Sequence, residues 1–434
     1  MIGTTREQDA TMARLTEAVH TTPDSPQAHY ELGLALFQKG EGRDPLLLYH
    51  SALEAREAMR LKPGYPDASV LLGKVLIGQM QYSDARNCLC HAIAANQECT
   101  EAHFEIGQAY LGQGMLEEAI AKFRECVLMG MNGPSVYASI GEALARSGMY
   151  SEAIVELRRA LAIDPSYIDA RYEMGQALVK IGMAAEGVAE LRKVVKKRPD
   201  DIDSRIQLAV ALIGDMKHDE AIMELSRVLD SDPRNAAAIA ELGNAFMQSR
   251  RPDDAIREYR RALEIERDNS RVRYNLANAF MDKGMYERAI QEFRQAVLLS
   301  PGDPVAHGHY GILLMMSGDL YAASLEFREA VRLDPDNCMA HINMGVALLQ
   351  RRRDDEAKAE LDRAIMLNPS HPEAYYYLGQ LAERGSDLAM VAEAYEKFLK
   401  YAGSGDRRAR TIKARLAEMK RSRSGRSSNS RKIV

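Results

Sequence analysis

The residues of this chain that could bind a metal or move a proton fall into two groups. Cys88, Cys90 and His91, with Cys99 and His103 nearby, form the densest set of soft ligands, and thiolates with imidazoles are what a zinc site requires. Their spacing works against that use, because residues two apart on a helix face different sides. Packing and surface roles therefore come ahead of a metal. The adjacent carboxylates Asp253-Asp254 and Asp354-Asp355 would suit general acid–base work only if burial pushed their pKa values apart. They stand beside Arg250-Arg251 and Arg351 to Arg353, in stretches that read as solvated turns. No Gly-rich phosphate motif follows a strand and there is no His-Glu-x-x-His. The chain is expected to be no enzyme, with no cofactor, no metal and no small-molecule substrate.

What positions the remaining residues is a repeat. A motif of 34 residues returns eleven times, with repeats starting at Pro26, Pro66, Thr100, Pro134, Ile168, Ile202, Ala236, Ser270, Pro304, Cys338 and Pro372. Position 8 of each is Gly or Ala, as in Gly73, Gly107, Gly141, Ala209, Ala277 and Gly379. Position 20 is Ala in eight repeats, position 24 is large and apolar (Phe123, Leu157, Tyr259, Phe293, Phe327), and position 27 is usually small again, Cys126 included. Spacings of 4, 7, 8, 11 and of 20, 24, 27 each trace one face of a helix, so every repeat predicts two amphipathic helices. Small residues at 8, 20 and 27 let the backbones approach, and the residue at 24 fills the space beside them. Gly near position 15 (Gly114, Gly148, Gly182, Gly284, Gly318) suits a helix C-terminus. Pro at position 32 in seven repeats, from Pro63 to Pro369, stops the second helix. The first repeat carries six additional residues, and Asp44-Pro45 reads as a cap and first-turn proline that lengthen its second helix.

On these positions the chain resembles the tetratricopeptide repeat (TPR) family. The aromatic usual at position 4 is missing: His29, His103, His307, His341, Arg171, Arg273 or Tyr375 stands there, and the chain has no Trp. The resemblance implies an all-α fold, a right-handed α-solenoid of stacked antiparallel helix pairs forming a TPR superhelix. The expected layout is a partial repeat or capping helix over 1–25, about eleven repeats over 26–403, a capping helix over 404–421 and a disordered basic tail over 422–434.

The resemblance also implies a concave groove lined by the first helices, with positions 2, 5, 6, 9 and 13 meeting an extended peptide. Carried over, position 5 supplies Tyr30, Phe104, Tyr172, Tyr274 and Tyr376. Position 6 supplies Glu31, Glu105, Glu173, Glu241, Asn275 and Asn343, and position 9 supplies Gln108, Gln176, Asn244, Asn278 and Gln380. Flat rings with carboxamides suit a main chain and its side chains, and the acidic first part suits a basic or mixed segment. Ordinary solvated helix positions are the alternative for any one of these residues. The family's carboxylate clamp fits only at Asn244 and Asn275, since Ala240, Val305 and His309 stand where its cations belong. An asparagine ladder at position 6 is met only by Asn275 and Asn343.

Charge is uneven along the chain. Residues 403–434 carry a net +9, which leaves –14 for residues 1–402 out of a total of –5. Ala409, Ile412, Leu416 and Met419 recur at helical spacing, predicting a last helix over 406–421 that covers the final repeat. From Ser422 no apolar pattern remains, which predicts disorder. Five cysteines, an odd number, and no hydrophobic signal core at the start argue against a disulfide framework and for a cytoplasmic address. The leading expectation is a scaffold or adaptor for protein partners. Its rivals are a tether to nucleic acid or an anionic membrane through the basic end, and a tail that docks in the acidic groove. Self-association through open stack ends is a further expectation.

Overall fold

The computed structural model describes residues 2–40, 44–403 and 405–429. Among them every regular element is a helix, and the chain divides into two compact units, Met1–Glu224 and Leu225–Val434. The first contains α1 (Ile2–Thr21), α2 (Pro26–Lys39), α3 (Pro45–Leu61), α4 (Pro66–Gly78), α5 (Tyr82–Ala95), α6 (Thr100–Gln113), α7 (Leu116–Leu128), α8 (Pro134–Arg146), α9 (Tyr150–Ile163), α10 (Ile168–Lys180), α11 (Ala184–Lys197) and α12 (Ile202–Gly214). The boundary falls inside α13 (His218–Ser231). The second contains α14 (Ala236–Gln248), α15 (Pro252–Ile265), α16 (Ser270–Asp282), α17 (Tyr286–Leu299), α18 (Pro304–Met316), α19 (Leu320–Leu333), α20 (Cys338–Gln350), α21 (Asp354–Leu367), α22 (Pro372–Arg384), α23 (Leu388–Tyr401) and α24 (Arg407–Asn429).

Each unit is an α-solenoid segment of antiparallel helix pairs. The first helix of a repeat packs on its own second helix, and that second helix packs on the first helix of the next repeat. The small residues do what their spacing predicts. A Cβ built on Gly107 would lie 2.5 Å from Cε1 of Phe123, and on Gly243 the same distance from Cε1 of Tyr259. Position 20 vanishes from solvent, with Ala85, Ala119, Ala153, Ala255 and Ala323 all at 0% exposure.

The turn between paired helices is uniform. In ten repeats the position-15 residue has positive φ, and the next N–H donates back to the carbonyl five residues earlier, as in Met115 to Tyr110 and Arg353 to Leu348. This is the Schellman arrangement, which absorbs carbonyls left over at a helix end. Gly114, Gly148, Gly182, Gly284 and Gly318 are at these sites as expected, but so are Met80, Met216, Arg250, Arg352 and Ser386. Asp44 accepts from the N–H groups of Leu46 and Leu47 and Pro45 begins α3, which runs 17 residues. The long second helix of the first repeat is thus built by the cap its sequence announces.

Position 4 shows what replaced the missing aromatic. His29 places Nδ1 2.6 Å from Glu54 Oε2 and Nε2 2.9 Å from the Pro23 carbonyl. Arg171 bonds Glu190 (2.5 Å) and the Pro165 carbonyl (2.6 Å), and Arg205 bonds Glu224 and the Pro199 carbonyl. His307 and His341 repeat the pattern with Glu326 and Pro301 and with Glu360 and Pro335. Tyr375 keeps only the second half, donating to the Pro369 carbonyl at 2.9 Å. A polar clamp between the second helix and the preceding turn takes over a role that apolar packing would otherwise fill.

The last helix departs from expectation at its end. α24 continues to Asn429, where composition predicts disorder from Ser422. Extending a helix that is already formed avoids the unfavourable nucleation step, and Arg is a good helix former. Residues 430–434 of the expected tail lie outside the described residues.

Candidate acidic groove in the first unit

In the first unit the first helices α2, α4, α6, α8, α10 and α12 present positions 2, 6 and 9 in neighbouring rows. Position 9 of one repeat meets position 6 of the next. Lys74 Nζ lies 3.8 Å from Glu105 and 2.5 Å from Glu101, and Gln108 donates to Ser139 Oγ at 2.7 Å. In the second unit Asn275 donates to Asn244 at 2.9 Å through the same pair of positions. These contacts match a donor with an acceptor.

One junction instead opposes like charges. Between the repeats of α8 and α10, position 9 is Glu142 and position 6 is Glu173, so two carboxylates face one another. They line a cavity of about 690 Å³ with Asp169, Tyr172, Arg198, Asp201, Asp203 and Ser204. Arg146 approaches Glu142 at 3.6 Å and Arg198 bonds Asp169 at 2.8 Å. Among the described residues no cation pairs with Glu173, Asp201 or Asp203; Asp201 accepts from Ser204 Oγ at 2.5 Å. Burial, and then the charges of Glu142 and Asp169, push Glu173 up to about 7 despite Arg146. Burial likewise raises Glu142, and it pushes the Tyr172 phenol up to about 12 with the help of Glu173, Asp203 and Asp201. Glu105, two repeats earlier, is also pushed up to about 7 by burial, which outweighs the attraction of Lys74. These groups hold negative charge poorly alone and would hold it well beside a cation.

The expected groove residues divide by surroundings. Tyr30, Phe104, Tyr172, Tyr274 and Tyr376 are all half-buried. Four of these rings lean on a neighbouring ring: Tyr30 on Tyr65, Phe104 on Phe123, Tyr274 on Phe293 and Tyr376 on Phe398, at centroid distances of 5.4 to 5.6 Å. Their inner faces are core and only their edges can meet a ligand. Glu31 is exposed and accepts from Gln27. Gln176 bonds Tyr172, Asn278 bonds Tyr274, and Gln380 donates to the Tyr376 hydroxyl at 2.9 Å. Tyr274 also meets His309 Nδ1 at 3.0 Å, and burial holds that imidazole below its ordinary value.

In the second unit Glu241 is buried, accepts from Asn244 at 2.7 Å and pairs with Arg271 at 3.1 Å, while Asn244 also accepts from Tyr259. Glu241 is therefore internally neutralised, unlike Glu173. Asn343 sits half-buried on α20. Glu142, Asp169, Asp201, Asp203 and Arg198 were not among the expected site residues. Position 2 was the available signal, since it carries Asp67, Glu101, Asp169 and Asp203. Cys88 is buried and Cys90 exposed on α5, so the two thiols do not converge.

Helix pairs repeated at 34 residues, with a small residue under a large one and a row of first helices free to meet a ligand, define a protein-binding class of helical repeat. The chain belongs to the tetratricopeptide repeat family. Tetratricopeptide repeat models match residues 70–127, 183–264, 240–304, 274–337 and 314–381, and a TPR repeat model matches 141–182. No curated protein matches the sequence. Among solved structures, the APC/C hetero-tetramer Cut9-Hcn1 is similar over 96% of this chain and 94% of its own, with 14% identity and a TM-score of 0.47. Yeast Tom70 is similar over 99% and 96%, with 14% identity and a TM-score of 0.46. Pseudomonas aeruginosa PilF is similar over 50% of this chain and 99% of its own, with 23% identity and a TM-score of 0.45. Among the described residues no helix is long and apolar enough to cross a membrane.

Proposed function

We propose that this chain is a non-enzymatic, cytoplasmic interaction scaffold whose first unit binds a basic, extended protein segment along the row of first helices. The observation that carries this reading is the Glu142–Glu173 junction, where a repeated donor–acceptor contact is replaced by two half-buried carboxylates in an acidic cavity. A lysine or arginine side chain of the partner supplies the missing cation, Tyr172 offers a ring edge beside it, and Gln108 and Gln176 supply amides for the partner's main chain. Charge-assisted hydrogen bonds in a partly desolvated cavity are stronger than those on an open surface. In the second unit Asn244, Asn275, Asn278, Asn343 and Gln380 make a more neutral row, suited to a polar segment.

Titration calorimetry with the full chain and twelve-residue peptides rich in lysine and arginine, in glutamate, or in serine and glycine tests the reading. The basic peptide should bind, and the double variant E142Q/E173Q should weaken it at least tenfold while leaving the helical signal unchanged. Equal binding of all three peptides, or undiminished binding by the double variant, would overturn it. Tyr172→Ala should weaken the same peptide by a smaller factor.

A further inference from the structure

The basic end of the chain is not used by the groove, and α24 arranges it as a surface. Its apolar side is closed: Ile412, Leu416 and Met419 are buried in one cluster with Tyr375, Tyr395 and Phe398. Two of its arginines serve that attachment. Arg408 lies 4.8 Å above the Tyr376 ring and pairs with Asp406 and Glu373, and Arg415 pairs with Glu383 and Glu418. Arg407, Arg410 and Lys413 differ: they are exposed, and among the described residues none makes an ion pair with them. At 100° per residue, Arg407, Arg410, Ala414, Ala417 and Arg421 fall along the side opposite the buried one. The outward side therefore holds cations separated by methyl groups, with Lys413 flanking it on one edge and Thr411 and Glu418 on the other, where Glu418 is engaged by Arg415. From Arg407 to Arg421 it extends roughly 21 Å.

We propose that the outer side of α24 docks on the phosphate backbone of duplex nucleic acid. Charge complementarity points to a polyanion, and the exposed alanines let the helix backbone come close to it. A bilayer-bound amphipathic helix buries an apolar face between lipids, and α24 has already committed that face to α22 and α23. Single strands are held by aromatic stacking, and residues 403–434 after Tyr401 contain no aromatic. A duplex asks only for spaced cations that can reach its phosphates. The proposal is independent of the acidic groove and survives its failure.

The test measures fluorescence anisotropy of a labelled 20-base-pair duplex of mixed sequence with the full chain, from 50 to 200 mM NaCl. The intact chain should bind with a steep, linear fall of log K against log salt and little change when the sequence is scrambled. The variant R407A/R410A/K413A should lose at least tenfold at 100 mM NaCl, and its slope should shrink by about 2.7, near 0.9 for each lost phosphate contact. R407K/R410K should bind like the intact chain, because charge and not fork geometry is used. Unchanged helicity separates lost contact from lost folding. No duplex binding at 50 mM NaCl, an unchanged slope in the alanine variant, or binding to vesicles of phosphatidylcholine and phosphatidylserine without binding to the duplex would each overturn the proposal.

Discussion

Gly379 sits directly under the ring of Tyr395: a Cβ built on the glycine would lie 2.2 Å from Cε1 and 2.5 Å from Cδ1. The ring is buried at 2% exposure, so it has no open space to retreat into. Gly379→Ala should destabilise the second unit by about 1–3 kcal/mol through overpacking, measured as a lower urea midpoint. The pairing of Ala277 with the buried Phe293 shows that a methyl is tolerated where the helices were spaced for it. Ala277→Gly should cost about 1–2 kcal/mol, the helix-propensity term together with the loss of a fully buried methyl. An unchanged midpoint for Gly379→Ala would show that the α22–α23 pair can separate freely.

The turns offer the opposite kind of change. Met216 and Arg352 hold φ of 61° and 63° at a site where five other repeats use glycine. A side chain in the left-handed region costs roughly 1–2 kcal/mol. Met216→Gly and Arg352→Gly should each stabilise by about 1 kcal/mol after the greater entropy of unfolded glycine is allowed for. Denaturant midpoints that fall instead would mean these side chains make contacts worth more than the strain.

His29 should titrate above its ordinary value. Burial pulls it down, but the hydrogen bonds it donates to Glu54 and to the Pro23 carbonyl and the charges of Glu54 and Glu57 more than offset that. Because the folded value is raised, its stabilisation is complete below the unfolded value of 6.5 and is lost as pH rises through the folded one. Glu54→Gln should lower the His29 titration followed by NMR and flatten the pH dependence of α2–α3 stability. A His29 titration at or below 6.5 in the intact chain would contradict the double acceptor arrangement.

Glu173 carries the same sign for a different reason, since burial and like charges rather than a partner raise it. Its folded value of about 7 lies above the ordinary carboxylate value of 4.5, so the folded first unit binds more protons than the unfolded chain between those values. Stability of that unit should fall as pH rises from about 5 to about 7, and Glu142→Gln should lower the Glu173 titration by removing a like charge. A basic peptide bound at pH 7 should expel protons from Glu173. Calorimetry in buffers of different ionisation enthalpy reads that release directly, and binding heats independent of buffer would count against it.

The repeat period, the pairing of helices and the residues buried between them were legible in the chain alone. Each is local or repeated: Gly107 under Phe123 is set by positions 8 and 24 of one repeat, and Asp44 caps α3 from two residues away. The five exceptions to glycine at the turn, Met80, Met216, Arg250, Arg352 and Ser386, were invisible because a Schellman turn is held by backbone bonds that any residue can make once packing imposes them. The His and Arg clamps at position 4 were equally hidden, since their partners lie nineteen residues ahead, or twenty-five for His29, and six behind. The row of tyrosines was visible, yet only packing decided that one face of each ring belongs to the core. Glu241 and Glu173 occupy the same position and look alike in the sequence. What separates them is tertiary: Arg271 reaches Glu241 from the first helix of the next repeat, whereas Glu173 meets Glu142, and a carboxylate's charge depends on which neighbours share its low-dielectric surroundings.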